Sequence, residues 1–120
     1  MAIDNKLTDD FLQGIKNIEP ELNQLGFKAG SVEKKGVAYF IEYGRRNVAI
    51  EFMFGPADWD VEIFIRTQER KFAFKDLLEI PTISDWVADH RYTRQNGRSV
   101  EAELHWYMEL LKVSLPVVGE

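Results

Sequence analysis

Acidic side chains recur along three successive segments that alternate between apolar and polar residues. Glu42 lies in the first segment, Glu51 in the second, and Asp60 and Glu62 in the third. An alternation with a period of two is typical of β-strands, and it places these four carboxylates on one face of a sheet. Carboxylates placed in this way could bind the cationic side chains of a partner protein or a hard divalent cation.

The predicted turns determine which of these side chains face one another. With hairpin turns at residues 44–47 and 55–58, Glu51 lies opposite Glu62 in the neighbouring strand. Like charges directly opposite each other destabilise a sheet by up to about 1 kcal/mol, so this pair needs a counter-charge. With a third hairpin turn at residues 67–70, Lys75, just after the fourth predicted strand, falls opposite Glu62. A structural row that compensates its own charge is therefore the alternative to a binding site.

Apolar side chains share this predicted face with the carboxylates. The same turns place Phe40 opposite Glu51 and Met53 opposite Asp60, with Glu42 diagonal to Glu51. We predict an acidic face with apolar patches that docks a protein partner with a basic surface. The candidate partner-binding residues are Phe40, Glu42, Glu51, Met53, Asp60, Glu62 and Phe64. No ligand loop frames the carboxylates, so we expect neither a metal ion nor a cofactor.

A second row of side chains that could do chemistry lies on the polar face of the last predicted helix. Glu101, His105 and Glu109 are four residues apart, and Lys112 follows three residues later. Such a row could hold a zinc ion, but the sequence contains no His-Glu-x-x-His motif. Charged residues of mixed sign at this spacing are typical of a solvated helix, so we predict a ladder of salt bridges.

A basic segment with an aromatic residue is the third candidate site. Arg91, Arg94 and Arg98 flank Tyr92 in a predicted loop, and arginines beside a ring can bind phosphate or single-stranded nucleic acid. We favour the structural alternative, a solvated loop, and expect His90 to border the end of the preceding helix. The sequence contains no glycine-rich phosphate loop, no Gly-x-Ser-x-Gly elbow and no cysteine, so nothing specific points to an enzyme.

The charge of the chain argues for a protein partner rather than a nucleic acid. The 15 basic and 20 acidic residues give a formal charge of −5, which opposes general binding to a phosphate backbone. The segment from Arg66 to Arg98 carries 7 basic and 5 acidic residues, a balance of +2 that leaves −7 for the rest. A dipolar surface of this kind suits a protein partner, with ordinary solubility as the alternative explanation.

Helical periodicity at the amino terminus predicts the first element that must support these sites. Apolar residues recur at steps of three and four from Leu7 to Leu25. Thr8 is the predicted N-cap, and Gly26 with Phe27 is the predicted stop signal. Pro20 interrupts the pattern, so we expect a kink there or two short helices.

Four runs with a period of two predict the strands of an antiparallel meander. Their apolar residues span 37–43, 48–54, 59–65 and 72–74, and the short connections exclude parallel crossovers. After them, residues 75–80 predict a turn or a single helical loop.

Two helices are predicted to complete the chain. A short helix begins at Pro81-Thr82, with Thr82 as its cap. The last helix runs from a Ser99 cap to Leu115 and is stopped by Pro116. Its wide apolar arc suggests contacts on two sides, and we expect a homodimer through this C-terminal helix.

Together these elements predict a single α+β domain over residues 1–120. It consists of an N-terminal helix, a four-stranded antiparallel meander, a short helix and a long C-terminal helix, with the helices packed on one sheet face. The function we expect is a protein-interaction module. Bacterial immunity proteins and secretion chaperones are analogous to it in size and charge only.

The alternative function is a small-molecule-binding or catalytic domain with an aromatic pocket between the sheet and the C-terminal helix. The pocket residues would be Tyr39, Tyr43, Trp59, Trp106 and Tyr107. The longest uninterrupted apolar stretch is five residues, and the amino terminus lacks the features of a signal peptide. We therefore expect a cytoplasmic protein that binds neither a membrane nor nucleic acid.

Overall fold

The computed structural model describes residues 2–36, 38–55, 61–91 and 99–118 and has an α+β architecture. Five strands form one antiparallel sheet in the order β1-β2-β3-β4-β5, which confirms the meander but corrects the predicted number of strands from four to five. The elements are α1 (Ala2–Gln24), β1 (Lys28–Lys35), β2 (Ala38–Arg45), β3 (Val48–Phe54), β4 (Val61–Arg66), β5 (Lys71–Ala73), α2 (Phe74–Leu77), α3 (Pro81–Asp89) and α4 (Val100–Val118).

The strand that the sequence patterns missed is β1, at one edge of the sheet. All eight of its residues are exposed, so no apolar alternation marks it in the sequence. Its pairing with β2 shifts between Ala29 and Val32, where the chain forms a bulge. Lysines at both ends of this edge and the bulge discourage pairing with a further strand.

One face of the sheet, which we call the core face, carries the hydrophobic core. Side chains at alternate positions of β2, β3 and β4 are buried there, and they pack with apolar side chains from α1 and α4. The rings of Phe11 in α1 and Phe54 in β3 stack with their centroids 4.9 Å apart, and both are fully buried. The prediction that the helices pack on one sheet face therefore agrees with the contacts of this core.

Helix α1 begins earlier than predicted and continues through its proline. It starts at Ala2 rather than after Thr8, and it is not divided at Pro20. Ile18 and Leu22, on either side of the proline, are both buried in the core, and this packing offsets the missing backbone hydrogen bond.

The predicted stop signal of α1 is confirmed by its geometry. Gly26 has a φ of 92°, and the Phe27 amide donates a hydrogen bond of 2.9 Å to the Leu22 carbonyl. The Arg45 guanidinium donates to the Leu25 carbonyl at 2.8 Å and lies over the Phe27 ring. A cation from the sheet thus caps the negative end of the helix dipole.

The caps of α3 and α4 follow the sequence only in part. Pro81 is the first residue of α3 and Ile80 is its N-cap, so the predicted Thr82 cap is wrong. Ser99 does cap α4, because its hydroxyl oxygen accepts a hydrogen bond of 3.1 Å from the Ala102 amide. Pro116 does not stop this helix, which continues to Val118.

The wide apolar arc of α4 is covered within the chain. Leu104, Met108, Leu111 and Leu115 are buried in the core, and partly buried Trp106 packs against α2 and α3. The observation that suggested a homodimer therefore has an intramolecular explanation, and the dimer stays an untested prediction. Among the helices that the structure describes, none is long and apolar enough to cross a membrane.

Candidate functional site

The sheet face opposite the core, which we call the outer face, carries six of the seven predicted partner-binding residues. Phe40 and Glu42 come from β2, Glu51 and Met53 from β3, and Glu62 and Phe64 from β4. They alternate with the buried residues of the same strands, as the period of two predicts. Asp60, the seventh, lies outside the described residues.

The pairing of β2 with β3 differs from the predicted one by two residues. Phe40 lies opposite Met53, and Glu42 lies opposite Glu51. The strands continue to Arg45 and resume at Val48, so the turn has two residues rather than the four that were predicted. The like-charged pair is therefore formed by these two strands.

The pairing of β3 with β4 is shifted in the same way. Glu51 lies opposite Phe64, not Glu62, and Met53 lies opposite Glu62, not Asp60. The predicted counter-ion is also wrong. β5 ends at Ala73, so Lys75 belongs to α2 and does not lie in the sheet.

The negative charge of Glu42 and Glu51 is compensated by two cations of the outer face that the sequence analysis did not identify. Arg66 binds Glu42 with an N–O distance of 2.7 Å, and Lys71 lies 3.6 Å from Glu51. The Lys71 ammonium also lies over the Phe64 ring, 4.4 Å from its centroid. The alternation within β4, which puts Arg66 on the same face as Phe64, is the signal that could have found the first cation.

Cross-strand pairing divides the outer face into three rows of different charge that each cross four or five strands, with the pair of Lys35 and Ala38 beyond the first of these rows. The acidic row is Glu33, Phe40, Met53 and Glu62; the middle row is Glu42, Glu51, Phe64 and Ala73; the basic row is Lys28, Gly44, Ala49, Arg66 and Lys71. Neighbouring rows are about 6.7 Å apart, since they are separated by two residues along each strand. Arg66 and Lys71 of the basic row form ion pairs with the glutamates of the middle row.

The acidic row keeps charge that the described chain does not neutralise. Glu33 and Glu62 are exposed, and within the described residues neither forms an ion pair. Between them, Phe40 and Met53 lie directly opposite each other and are half-buried. The Lys35 ammonium lies 5.3 Å from the centre of the Phe40 ring and covers part of this apolar pair.

The outer face lacks a cover among the described helices. Its side chains make their ion pairs and ring contacts with one another, whereas the contacts of α1 and α4 with the sheet are on the core face. Arg66 and Lys71 are exposed, and the acids that they bind are half-buried. The chemistry available here is recognition through charge and apolar contact.

The predicted aromatic pocket residues that the structure describes belong to two separate groups. On the core face, the Tyr43 hydroxyl donates a hydrogen bond of 2.6 Å to Glu19, and Tyr39 packs against the core. Burial, and then the bond to Glu19, raise the pKa of Tyr43 well above its ordinary value of 10.0.

The second aromatic group joins α2, α3 and α4. Trp106 and Tyr107 contact Phe74, and Trp106 also contacts Trp86. These rings pack against one another, and Trp59 lies outside the described residues. No described contact joins this group to Tyr43.

The remaining candidate residues take part in local structure. Lys112 donates hydrogen bonds to Glu109 at 2.9 Å and to Glu21 of α1 at 2.7 Å, which raises its pKa. The predicted ladder is thus present in part, and its Lys112 also ties α4 to α1. No set of ligands that could hold a metal ion occurs among the described residues, which include Glu101 and His105.

His90 borders the end of α3, as expected. Its ring stacks on Trp86 with the centroids 4.4 Å apart, and its Nδ1 lies 2.8 Å from the Trp86 carbonyl oxygen. The His90 carbonyl accepts a hydrogen bond from the Trp106 indole. Arg91 is exposed, and Tyr92, Arg94 and Arg98 lie outside the described residues.

An open groove of about 500 Å³ lies at the turn end of the sheet, and three arginines line it. Arg45 is engaged with Leu25 and Phe27, and Arg66 with Glu42. Among the described arginines of the groove, this leaves Arg46 to attract an anion, so the groove is a weaker candidate than the outer face.

Searches with protein-family models, among curated proteins and among solved structures find no match to this chain, so the outer face has to be interpreted by its own chemistry.

Proposed function

We propose that this chain is a cytoplasmic protein-interaction module that docks a basic surface of a partner protein on its outer face. One observation carries the proposal: on a sheet face that no described helix covers, Glu33 and Glu62 flank the apolar pair of Phe40 and Met53. Apolar contact contributes affinity at the centre of such a surface, and charges at its rim select the partner and speed association.

The layout of charge narrows the proposed surface to part of the face. Glu42 and Glu51 already hold internal cations, so displacing those cations would offset much of what a basic partner gains there. A partner that binds the acidic row displaces no described ion pair, although it has to displace Lys35 from the Phe40 ring. A basic partner is therefore expected to centre on the acidic row.

The size of the face sets an expectation for the complex. The three rows contain 13 residues, and each residue occupies about 4.8 by 6.7 Å of the sheet, so the patch measures roughly 400 Å². A stable interface buries about 800 Å² on each partner, so the partner also has to contact the rim of the sheet. The outer edge of β1, a strand whose residues are all exposed, would supply part of that area.

The test is site-specific photo-crosslinking in the native cell. A photo-reactive side chain at Met53 should crosslink a protein partner, and the same side chain at exposed Glu79, beyond α2, should not. The crosslinked protein is then purified, and its binding is measured at several salt concentrations. We expect Glu62→Lys to weaken binding at low salt, with a smaller effect at high salt.

Two results would overturn the proposal. One is crosslinking that is equally strong at Met53 and at Glu79, which would indicate non-specific proximity. The other is a specific partner whose binding is unchanged by Glu62→Lys at every salt concentration.

A further inference from the structure

We infer that the docking element of the partner is a basic amphipathic helix that lies across strands β1 to β4 along the acidic row. This inference rests on the proposed function and adds the shape and side-chain spacing of the partner. It follows from three properties of the row: its backbone pairing, its length and the charges of the neighbouring rows.

Backbone pairing favours a helix over an extended segment. β2 and β3 are hydrogen-bonded to a neighbouring strand on both sides, so their peptide groups are not available to a ligand above the sheet. An extended segment laid on Phe40 and Met53 would lose water from its own N–H and C=O groups without gaining partners for them. A helix satisfies these groups internally, as α1 and α4 do on the core face.

The length of the row sets the spacing of the partner's cations. Glu33 in β1 and Glu62 in β4 are three strand spacings apart, or about 14 Å. A helix rises about 1.5 Å per residue, so cations at i and i+11 on one helix face are about 16 Å apart. Long lysine and arginine side chains accommodate the difference.

The two side chains between the glutamates set the apolar positions. Phe40 and Met53 occupy the middle of the row, so the matching helix has apolar residues at i+4 and i+7 on the same face as its cations. One stripe of the partner helix is therefore expected to carry a cation, two apolar side chains and a second cation, in that order.

The neighbouring rows restrict where such a helix can lie. Glu42 and Glu51 of the middle row are paired with Arg66 and Lys71, and the basic row would repel the cations of the helix. A shift of the helix by one row therefore loses both ion pairs. The direction across the strands, rather than along them, follows because Glu33 and Glu62 lie in different strands.

The experiment is a titration of the isotope-labelled full chain with a synthetic helical peptide, followed by NMR. The peptide carries lysines at i and i+11 and leucines at i+4 and i+7 in an otherwise neutral, helix-favouring sequence. A control peptide of the same composition has its lysines on the opposite helix face. We expect the amide signals of the acidic row to shift with the first peptide and the control to bind about tenfold more weakly.

Protein variants with matched charge changes complete the test. Glu33→Lys and Glu62→Lys should each weaken binding of the first peptide about tenfold, whereas Glu79→Lys, with the same change of charge away from the row, should leave it unchanged. Lys35→Gln should strengthen binding about twofold, because it removes a cation next to Phe40. A heat-denaturation profile for each variant checks that it is folded.

The outcomes separate this inference from the proposed function. Equal binding of the two peptides, or of a proline-broken version that cannot form a helix, would overturn the inference. If Met53 nevertheless crosslinks a basic partner in the cell, the proposed function would stand. The inference would also be overturned if the first peptide shifted only the amide signals of residues outside the acidic row. If, in addition, the photo-reactive side chain at Met53 crosslinked no partner, both proposals would be wrong.

Discussion

The two faces of the sheet are made by the same strands and differ in what stabilises them. In β3, Phe54 is fully buried on the core face, while its neighbour Met53 is half-buried on the outer face. The core face is held by helices that exclude water, and the outer face is held by ion pairs between its own strands. The comparison indicates that the core face contributes most of the stability of the fold.

Electrostatic interactions also differ between the faces. On the core face, Tyr43 is 3 % exposed, and its hydroxyl donates a hydrogen bond of 2.6 Å to Glu19 of α1. On the outer face, Glu42 and Glu51 lie directly opposite each other and depend on exposed Arg66 and Lys71. The first arrangement is part-buried and the Arg66–Glu42 pair of the second is exposed, so the two should respond differently to pH and ionic strength.

The largest expected difference between the faces is in the cost of removing a side chain. Phe54→Ala should lower the free energy of unfolding by about 3–5 kcal/mol, because it leaves a cavity beside Phe11. Met53→Ala, one residue away on the outer face, should cost less than about 1 kcal/mol. Urea denaturation measures both values. Similar costs would show that the outer face is also part of the stabilising core.

A smaller effect is expected from the hydrogen bond between Tyr43 and Glu19 on the core face. Tyr43→Phe removes the hydrogen bond to Glu19 and should cost about 1–2 kcal/mol at neutral pH. The pKa of Tyr43 is raised in the folded state, so its contribution is complete below about pH 10 and is lost as the pH rises further.

The same variant should therefore also change how the free energy of unfolding depends on pH. Between the ordinary and the raised pKa, the wild-type chain should lose about 1.4 kcal/mol per pH unit through this tyrosine. Tyr43→Phe should remove that part of the slope in alkaline denaturation curves. An unchanged slope would mean that Tyr43 ionises as readily in the folded state as in the unfolded state.

The smallest effect belongs to the charges of the outer face. Replacing both Arg66→Ala and Lys71→Ala leaves Glu42 and Glu51 opposed without counter-ions and should cost about 1 kcal/mol at low salt. The cost should shrink in 1 M salt, where the screening length is about 3 Å. Lys75→Ala is the control, since this lysine lies in α2 and should be neutral within about 0.5 kcal/mol. A salt-independent cost would contradict the electrostatic account.

The residues of the outer face could be predicted from the sequence, but their pairing could not. The alternation of β2, β3 and β4 correctly grouped Phe40, Glu42, Glu51 and Phe64 on the face opposite the core. The β2–β3 turn was predicted as four residues and has two, so Glu51 faces Glu42 rather than Phe40. The register of β3 with β4 also differs from the predicted one by two residues, so the predicted opposition of Glu51 and Glu62 was wrong. A shift of two residues leaves every side chain on the same face, so the alternation cannot detect it.

The helix ends also show that a local sequence signal can be overridden by packing. Gly26 signals a left-handed stop in the sequence and provides one in the structure, because that conformation is a local property of the residue. Pro20 and Pro116 carry equally local signals and are overridden. The burial of Leu22 and Leu115 in one core outweighs the single hydrogen bond that each proline removes.

The sequence by itself determined the α+β class, the side of the sheet on which each residue of β2, β3 and β4 lies, and the candidate residues of the outer face, because periodicity is a local property of the chain. Only the tertiary structure decided the fifth strand and the partners of the charges. β1 has no buried face to mark it, and the contacts of Glu42 with Arg66 and of Lys112 with Glu21 join residues far apart in the chain. Such contacts depend on strand register and helix packing, which no local pattern encodes.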